Sequence, residues 1–241
     1  MNVVISGYGR MGKLIYETAV NRKHNIVAIV DKNDDWDTYS NEISKSDIVI
    51  DFSLPETVIK NIERCFDLNI PIVIGTTGWY DKIDEIRNIC IAKNKSVFYA
   101  PNFSMGVNIF FLLNKYLSSL MNEHPEYDVF VKEVHHTSKI DSPSGTAIKI
   151  AEDIIKISST KEKWINFTSL NKAELKIISE RKDNIVGNHK VIYSSNEDEI
   201  TIEHNAKNRN GFAIGAVLAA EWLKGKKGFF EMKDMLSVRS T

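Results

Sequence analysis

Cysteine is almost missing. Cys65 and Cys90 are the whole complement of this 241-residue chain. That is too few for a disulfide framework or a thiolate metal site, and the pair reads as buried thiols of a reducing compartment. A surplus of either charge is missing too. Thirty-one Lys and Arg face 32 Asp and Glu, a formal net charge of -1, which argues against a general nucleic-acid or membrane surface because both favour a basic excess. Met1-Asn2 leads straight into Val3-Val4-Ile5, with no charged segment before an apolar stretch, so no secretory signal is expected. The most apolar late segment, Ala213 to Leu223, is about half the length that spans a bilayer. A cytoplasmic protein is expected. Internal repeats, low-complexity tracts and flexible linkers are absent as well. What remains is 43% hydrophobic and 26% charged, the balance of a soluble globular protein with one large or two small domains.

The first hundred residues alternate strand and helix. Val3 to Ile5 is an apolar run without alternation, as in a central parallel strand, and Gly7-Tyr8-Gly9-Arg10-Met11-Gly12 follows. Met11, Leu14, Ile15 and Ala19 then fall at helical spacing, which puts the glycines at a strand-to-helix turn. Gly7 permits the tight turn, Gly9 lets a pyrophosphate approach the backbone, and Gly12 allows close packing of helix on strand. Ile26 to Val30 reads as a second buried strand that ends at Asp31, where this kind of turn places an acid for the adenosine ribose hydroxyls. Lys32 comes next and would favour a ribose phosphate that Asp31 repels, so NADH and NADPH both stay open. Ile48 to Ile50 runs into Asp51-Phe52-Ser53. Ser53 with Glu56 has the form of a capping box, and Pro55 suits the start of a helix to about Asp67. Pro71 to Ile74 ends in Gly75-Thr76-Thr77-Gly78, whose amides and hydroxyls would approach the nicotinamide end of a cofactor. A helix over Ile83 to Ile91 and a strand over Val97 to Tyr99 lead into Ala100-Pro101-Asn102-Phe103-Ser104.

After Ser104 the pattern changes. A helix from about Val107 to Leu120 precedes strands at Tyr127 to His135, Leu175 to Arg181, Lys190 to Ser194 and Ile200 to Asn205. Their alternation predicts a sheet with two unlike faces, mostly antiparallel, with Ser195 to Asp198 as the turn of the last hairpin. Helical spacing returns at Ile214, Val217, Leu218 and Trp222, a segment expected to pack back on the first domain. The expected fold class is α/β: a Rossmann-type dinucleotide-binding domain over 1–104 and 212–241, and a central α+β domain with a mostly antiparallel mixed sheet over 105–211. A cleft between two lobes with short, hinge-like crossings would let a dinucleotide and a small substrate meet out of water.

The chemistry concentrates in Glu133 to Ala147, EVHHTSKIDSPSGTA. Strand parity puts Glu133 and His135 on one side and Val134 and His136 on the other, so the two histidines have different jobs. Ser142 or Ser144 is a candidate cap for a helix over Ala147 to Ile157, whose first amides, with the Ser144 and Thr146 hydroxyls, would bind a carboxylate. Lys139 and that helix start would hold carboxylates, His136 would add a hydrogen bond, and His135 would supply a proton. His135, His136, His189 and His204 are the candidates for a metal. Adjacent histidines are poorly placed to share one ion and neither a cysteine nor a His-Glu spacing supports it, so no metal is expected.

These motifs, in this order, resemble the dihydrodipicolinate reductases (4-hydroxy-tetrahydrodipicolinate reductases) of the diaminopimelate route to lysine: GRMG at Gly9 to Gly12, DFS at Asp51 to Ser53, GTTG at Gly75 to Gly78, PNFSMGVN at Pro101 to Asn108, HHTSKIDSPSGTA at His135 to Ala147 and IVGNH at Ile185 to His189. The resemblance covers essentially the whole chain. It implies NADH- or NADPH-dependent reduction of a cyclic dicarboxylate to tetrahydrodipicolinate with loss of water. It implies His135 as the acid/base residue with Lys139 as its catalytic partner, and His136, Lys139, Ser144, Gly145 and Thr146 around the substrate. The cofactor would be surrounded by Gly7 to Gly12, Asp31, Lys32, Phe52, Ser53, Gly75, Thr76, Thr77, Ala100, Pro101, Asn102 and Phe103. A homotetramer built through the central sheet is implied as well. The chain departs from the commoner family form at Ser6-Gly7 in the glycine turn, at Thr137 where an arginine is usual, and at Arg181-Lys182-Asp183 where Arg-x-Gly is usual. Two rivals are a different two-domain reductase of an amino or keto acid and a dinucleotide-sensing regulator. The first would lack PSGTA beside a histidine pair, and the second would tolerate neutral residues at His135 and Lys139.

Overall fold

The computed structural model describes residues 1–167 and 171–236. The chain divides into two compact units: Met1–Met105 together with the segment that starts at Asn210, and Gly106–Arg209.

The first unit alternates β1 (Asn2–Ser6), α1 (Arg10–Asn21), β2 (Asn25–Val30), α2 (Asp35–Thr38), α3 (Ser40–Ile43), β3 (Ile48–Asp51), α4 (Pro55–Asp67), β4 (Ile72–Ile74), α5 (Ile83–Ala92) and β5 (Ser96–Tyr99). Its sheet has the order β11 (Gly228–Phe230), β5, β4, β3, β1, β2, with every pairing parallel. Strand parity divides the core. Val4, Val49, Ile72, Ile74 and Val97 face α4 and α5, while Val3, Ile5, Ile48, Ile50, Val73 and Phe98 face α1 and α8 (Asn210–Leu223). These strands are apolar on both faces, which is why they read as runs without alternation. Gly215 on α8 is required by closeness: an added Cβ would stand 1.8 Å from the Phe103 carbonyl oxygen.

The second unit comprises α6 (Met105–Met121, its first residue at the boundary), β6 (Asp128–His135), α7 (Gly145–Ile155), β7 (Lys163–Ile165), β8 (Glu174–Arg181), β9 (Gly187–Ser194) and β10 (Glu199–Ala206). Its sheet, in the order β10-β9-β6-β8-β7, is not mostly antiparallel. β10–β9 and β9–β6 are antiparallel, whereas β6–β8 and β8–β7 are parallel. The chain returns from β6 through α7 to β7, and such a crossover makes parallel neighbours. One face is packed: Val129 and Val131 of β6, Leu175 and Ile177 of β8, and Val191 and Tyr193 of β9 meet Phe110 of α6 and Ala147, Ile150 and Ile154 of α7. The hairpin turn closes where expected, Ser195 N–H donating to the Asp198 carbonyl at 3.0 Å.

Several elements lie outside the sequence expectation. β7 and β11 (Gly228–Phe230) are three residues each, too short for a period to show. α2 and α3, four residues each, and α9 (Met232–Leu236), five residues, are also brief. Ser53 does not cap α4. The N-cap is Leu54, whose N–H is accepted by Thr57 Oγ1 at 3.4 Å, with Pro55 as the first helical residue.

Ser53 serves Asp51 instead. The Asp51 carboxylate, fully buried at the carboxyl end of β3, accepts from Ser6 Oγ (2.7 Å) and Asn61 Nδ2 (2.9 Å) at one oxygen and from Thr76 Oγ1 (2.6 Å) and Ser53 Oγ (2.9 Å) at the other. One side chain thus ties together the ends of β1 and β3, the segment after β4, and α4. Asp51→Asn would turn an amide donor toward donors already committed, and is expected to cost about 2–4 kcal/mol of stability, read from urea unfolding.

Candidate active site

The glycine turn after β1 is built by contact. Gly7 has φ +86°, and an added Cβ there would stand 2.3 Å from the Phe52 carbonyl oxygen. A Cβ on Gly12 would stand 2.0 Å from the Gly7 carbonyl oxygen, whereas one on Gly9 would meet nothing within 4 Å. Gly9 is the N-cap of α1, with no side-chain cap and no acid in the first turn, so the leading amides keep their hydrogen-bonding capacity and the positive end of the helix is uncompensated. Gly7 N–H donates to the Val30 carbonyl (2.7 Å) and Tyr8 N–H to Asp31 Oδ1 (2.7 Å), which brings the end of β2 beside the turn. Arg10, Asp31 and Lys32 are exposed around it. An open backbone over Gly9, free amides and a carboxylate at the end of β2 fit a dinucleotide.

Other candidates in this unit divide into exposed and structural. Phe52 lies across Gly75, where a Cβ would stand 2.2 Å from the ring. Thr77 is exposed, but Thr76 is turned inward to Asp51 and is 5% exposed, so its hydroxyl cannot reach a cofactor. Phe103 is a core residue, its ring centroid 5.6 Å from Phe52 and 6.0 Å from Phe98, and Ala100 is buried beside it. These two positions offer only backbone. Pro101 is exposed, and Asn102 is half-buried with its Oδ1 accepting from Ser104 N–H at 2.9 Å.

In the second unit the packed face of the sheet turns polar at one end. Register sets Ser179 of β8, Glu133 of β6, His189 of β9 and His204 of β10 side by side in one row, with His135 and Arg181 paired two residues further along. Glu133 is fully buried. Its Oε1 accepts from Ser144 N–H (3.0 Å) and Ser179 Oγ (2.8 Å), while its Oε2 lies 3.4 Å from His135 Nε2 and 3.6 Å from His189 Nε2. The two imidazoles meet Nε2 to Nε2 at 3.3 Å. His135 Nδ1 lies 3.1 Å from the Val186 carbonyl, which assigns its proton to that nitrogen. Gly187 makes room for the ring, since a Cβ there would stand 2.9 Å from His135 Cε1.

Ser144 caps α7, its Oγ accepting from Ala147 N–H at 3.2 Å and lying 3.3 Å from His189 Nε2. The hydroxyl is buried and engaged, which leaves the Gly145 and Thr146 amides and the half-buried Thr146 side chain as the polar groups open at this helix start. Lys139 Nζ pairs with Asp141 Oδ1 at 2.7 Å. Arg181 holds the same loop through the Lys139 and Asp141 carbonyls. Two of the unusual residues meet, Thr137 Oγ1 donating to Asp183 Oδ1 at 2.6 Å. The left-handed residue of that loop is Asn184 (φ +64°). A cavity of about 350 Å³ opens here, lined by His136, Thr137, Ser138, Asp183 to Val186 and Arg209. His136 borders it with Nδ1 2.8 Å from Ser138 Oγ, while His135 lies deeper, 8% exposed.

Burial alone would push the Glu133 carboxyl up, but the facing His135 and His189 imidazoles and the hydrogen bonds from Ser144 and Ser179 outweigh it and hold the group well below the ordinary carboxylate range. Burial pushes His189 down, against the pull of Glu133. With a depressed folded value, Glu133 contributes stability that is complete above the ordinary carboxyl value of about 4.3 and is lost as pH falls below it. Urea midpoints are therefore expected to fall more steeply below pH ~4.3 for the wild type than for Glu133→Gln. Glu133, His135 and His189 are also the group whose ligand atoms lie within 4.8 Å of one another among the described residues.

The family models of dihydrodipicolinate reductase match residues 1–103 (N-terminus) and 106–236 (C-terminus). The chain belongs to the dihydrodipicolinate reductase family. The curated 4-hydroxy-tetrahydrodipicolinate reductase of Christiangramia forsetii is 46% identical over 98% of both chains, and that of Archaeoglobus fulgidus is 34% identical over 98% of this chain and all of its own. A solved dipicolinate-bound dihydrodipicolinate reductase from Paenisporosarcina sp. TG-14 has the same fold, with a TM-score of 0.78 at 24% identity over 98% of this chain and 99% of that one. The resemblance read from the motifs is borne out. Sequence reasoning gave no role to Asp51, Glu133, Arg181, Gly187 or Arg209 in this member of the dihydrodipicolinate reductases, and weighed His189 only as a metal candidate. The DFS, EVHH and IVGNH motifs contained four of these six, but which of them converge depends on strand register.

Proposed function

We propose that this chain reduces 4-hydroxy-tetrahydrodipicolinate to tetrahydrodipicolinate, as its curated relatives are named for doing, consuming one NADH or NADPH and one proton and releasing water. The observation that carries the reading is the convergence, in one unit, of an ammonium (Lys139), free helix-start amides (Gly145 and Thr146) and a histidine backed by a buried carboxylate. A cyclic dicarboxylate needs two anion sites and a proton source, and this cluster supplies both. The solved relative binds dipicolinate, a dicarboxylate of the same kind.

The first unit would hold the dinucleotide at Gly7 to Gly12, with Asp31 toward the ribose and Phe52, Ser53, Gly75 and Thr77 nearby. A bound nicotinamide cofactor supplies the hydride. The protein's own part is electrostatic and positional. Lys139 leaves Asp141 for a substrate carboxylate, the α7 amides take the other, His136 donates a hydrogen bond from the cavity wall, and His135 delivers the proton with Lys139 as its partner. No resident metal enters this reading. The exposed Arg10, Asp31 and Lys32 mix both signs at the ribose end, which supports acceptance of both cofactors. The assignment extends to a cytoplasmic homotetramer built through the central sheet. It is supported by the half-buried or exposed side chains on the sheet face opposite α6 and α7, and light scattering of the purified protein checks it.

Calorimetric titration with dipicolinate tests the substrate site without turnover. Binding by the wild type, weakened about tenfold or more in Lys139→Ala, is expected; equal binding by both would remove Lys139 from the anion site.

A further inference from the structure

Glu133 has the geometry of a part that serves two others. It sits in mid-sheet between Ser179 and His189, fully buried, and its two oxygens face different groups. Oε1 is satisfied by Ser144 N–H and Ser179 Oγ. Oε2 accepts no hydrogen bond, although it lies 3.4 Å from His135 Nε2. A buried carboxylate oxygen without a donor is costly, and the group best placed to relieve it is a proton on His135 Nε2, because His135 Nδ1 is committed to the Val186 carbonyl. Burial disfavours protonation of the competing imidazole, His189. The other charged or titratable groups around the cluster are Arg181 on β8, 3.8 Å from Oε1, His204 on β10, and Lys139 with its partner Asp141 in the loop; the ion pairs at Oε2 are those with His135 and His189.

We propose that Glu133 is a positioning residue with two duties: Oε2 orients His135 and supports its protonated form, while Oε1 fixes the Ser144 amide and with it the carboxylate-binding start of α7. One buried side chain thereby keeps the proton donor and the anion site in register. This deepens the proposed reduction and rests on it.

The two duties separate experimentally. In Glu133→Gln the amide oxygen still accepts from Ser144 and Ser179, but nothing supports an imidazolium. The kcat is expected to fall about 100-fold, the alkaline limb of its pH profile to move down by about one unit or more, and the substrate KM to stay within about threefold. Ser179→Ala touches only Oε1, and should raise KM without moving the limb. A purely structural role for Glu133 would lower stability and leave the limb in place, so an unmoved limb in Glu133→Gln overturns the proposal. Should that variant fail to fold by circular dichroism, Glu133→Asp, which keeps the charge and withdraws Oε2, carries the same test: wild-type kcat with an unmoved limb is the contradicting result. NMR titration of His135 needs no turnover and separates the two readings. A lower midpoint in Glu133→Gln upholds the role of Glu133 even if the wild type does not reduce the cyclic substrate, whereas an unchanged midpoint refutes it.

Discussion

Lys139→Ala lowers kcat on the cyclic dicarboxylate by about 10²–10⁴-fold and His135→Gln by a comparable factor, while the Kd for NADH or NADPH stays within about twofold of wild type. The expected split follows from where these side chains sit. Both belong to the second unit, on β6 and in the loop before α7, whereas the glycine turn belongs to the first. Lys139 is held ready by Asp141, and its loop by Arg181, so its removal takes away an ammonium without disturbing the core. His135→Gln keeps a hydrogen-bonding side chain and loses the titratable one. Stopped-flow measurement of cofactor binding beside steady-state turnover reads both quantities. Loss of cofactor affinity in either variant would show that the roles are divided wrongly.

Gly9→Ala is expected to raise the cofactor Kd by about 10–100-fold and leave the melting temperature within about 2 °C of wild type, whereas Gly12→Ala should lose both affinity and stability. A methyl group on Gly9 meets nothing in the protein, so it can obstruct only something that approaches from outside. On Gly12 the same methyl would lie 2.0 Å from the Gly7 carbonyl oxygen, and the turn itself must open. Calorimetry and fluorescence titration of the two variants separate a binding surface from a packing contact. Equal affinity of Gly9→Ala and wild type would remove the pyrophosphate from this turn.

How far the sequence was legible depends on the range of the interaction. The parallel sheet was readable because its strands are apolar on both faces and its glycines carry conformational demands that few other residues meet. Glu133 and His135 sharing a face followed from strand parity alone, and the pairing is observed. What parity cannot reveal is the partner across the sheet. Ser179 and His189 flank Glu133 only through the register of β8 and β9, whose residues lie about fifty positions away in the chain. The same limit explains Asp51, a buried acid in an apolar run whose four donors come from four separate segments. Ser53 and Ser144 show a further gap: a hydroxyl near a helix start reads the same whether it caps, binds a ligand or bonds inward, and three-dimensional packing decides. The parallel share of the second, mixed sheet was underestimated because β7, only three residues long, leaves no period to detect.

The central claim is a reaction, and one measurement reaches it directly. Purified protein is mixed with 4-hydroxy-tetrahydrodipicolinate generated in situ, and absorbance follows the oxidation of NADH and of NADPH in separate cuvettes. The account predicts oxidation of at least one cofactor, mole for mole with tetrahydrodipicolinate formed and dependent on the cyclic substrate. Absence of oxidation of either cofactor at micromolar enzyme would contradict it.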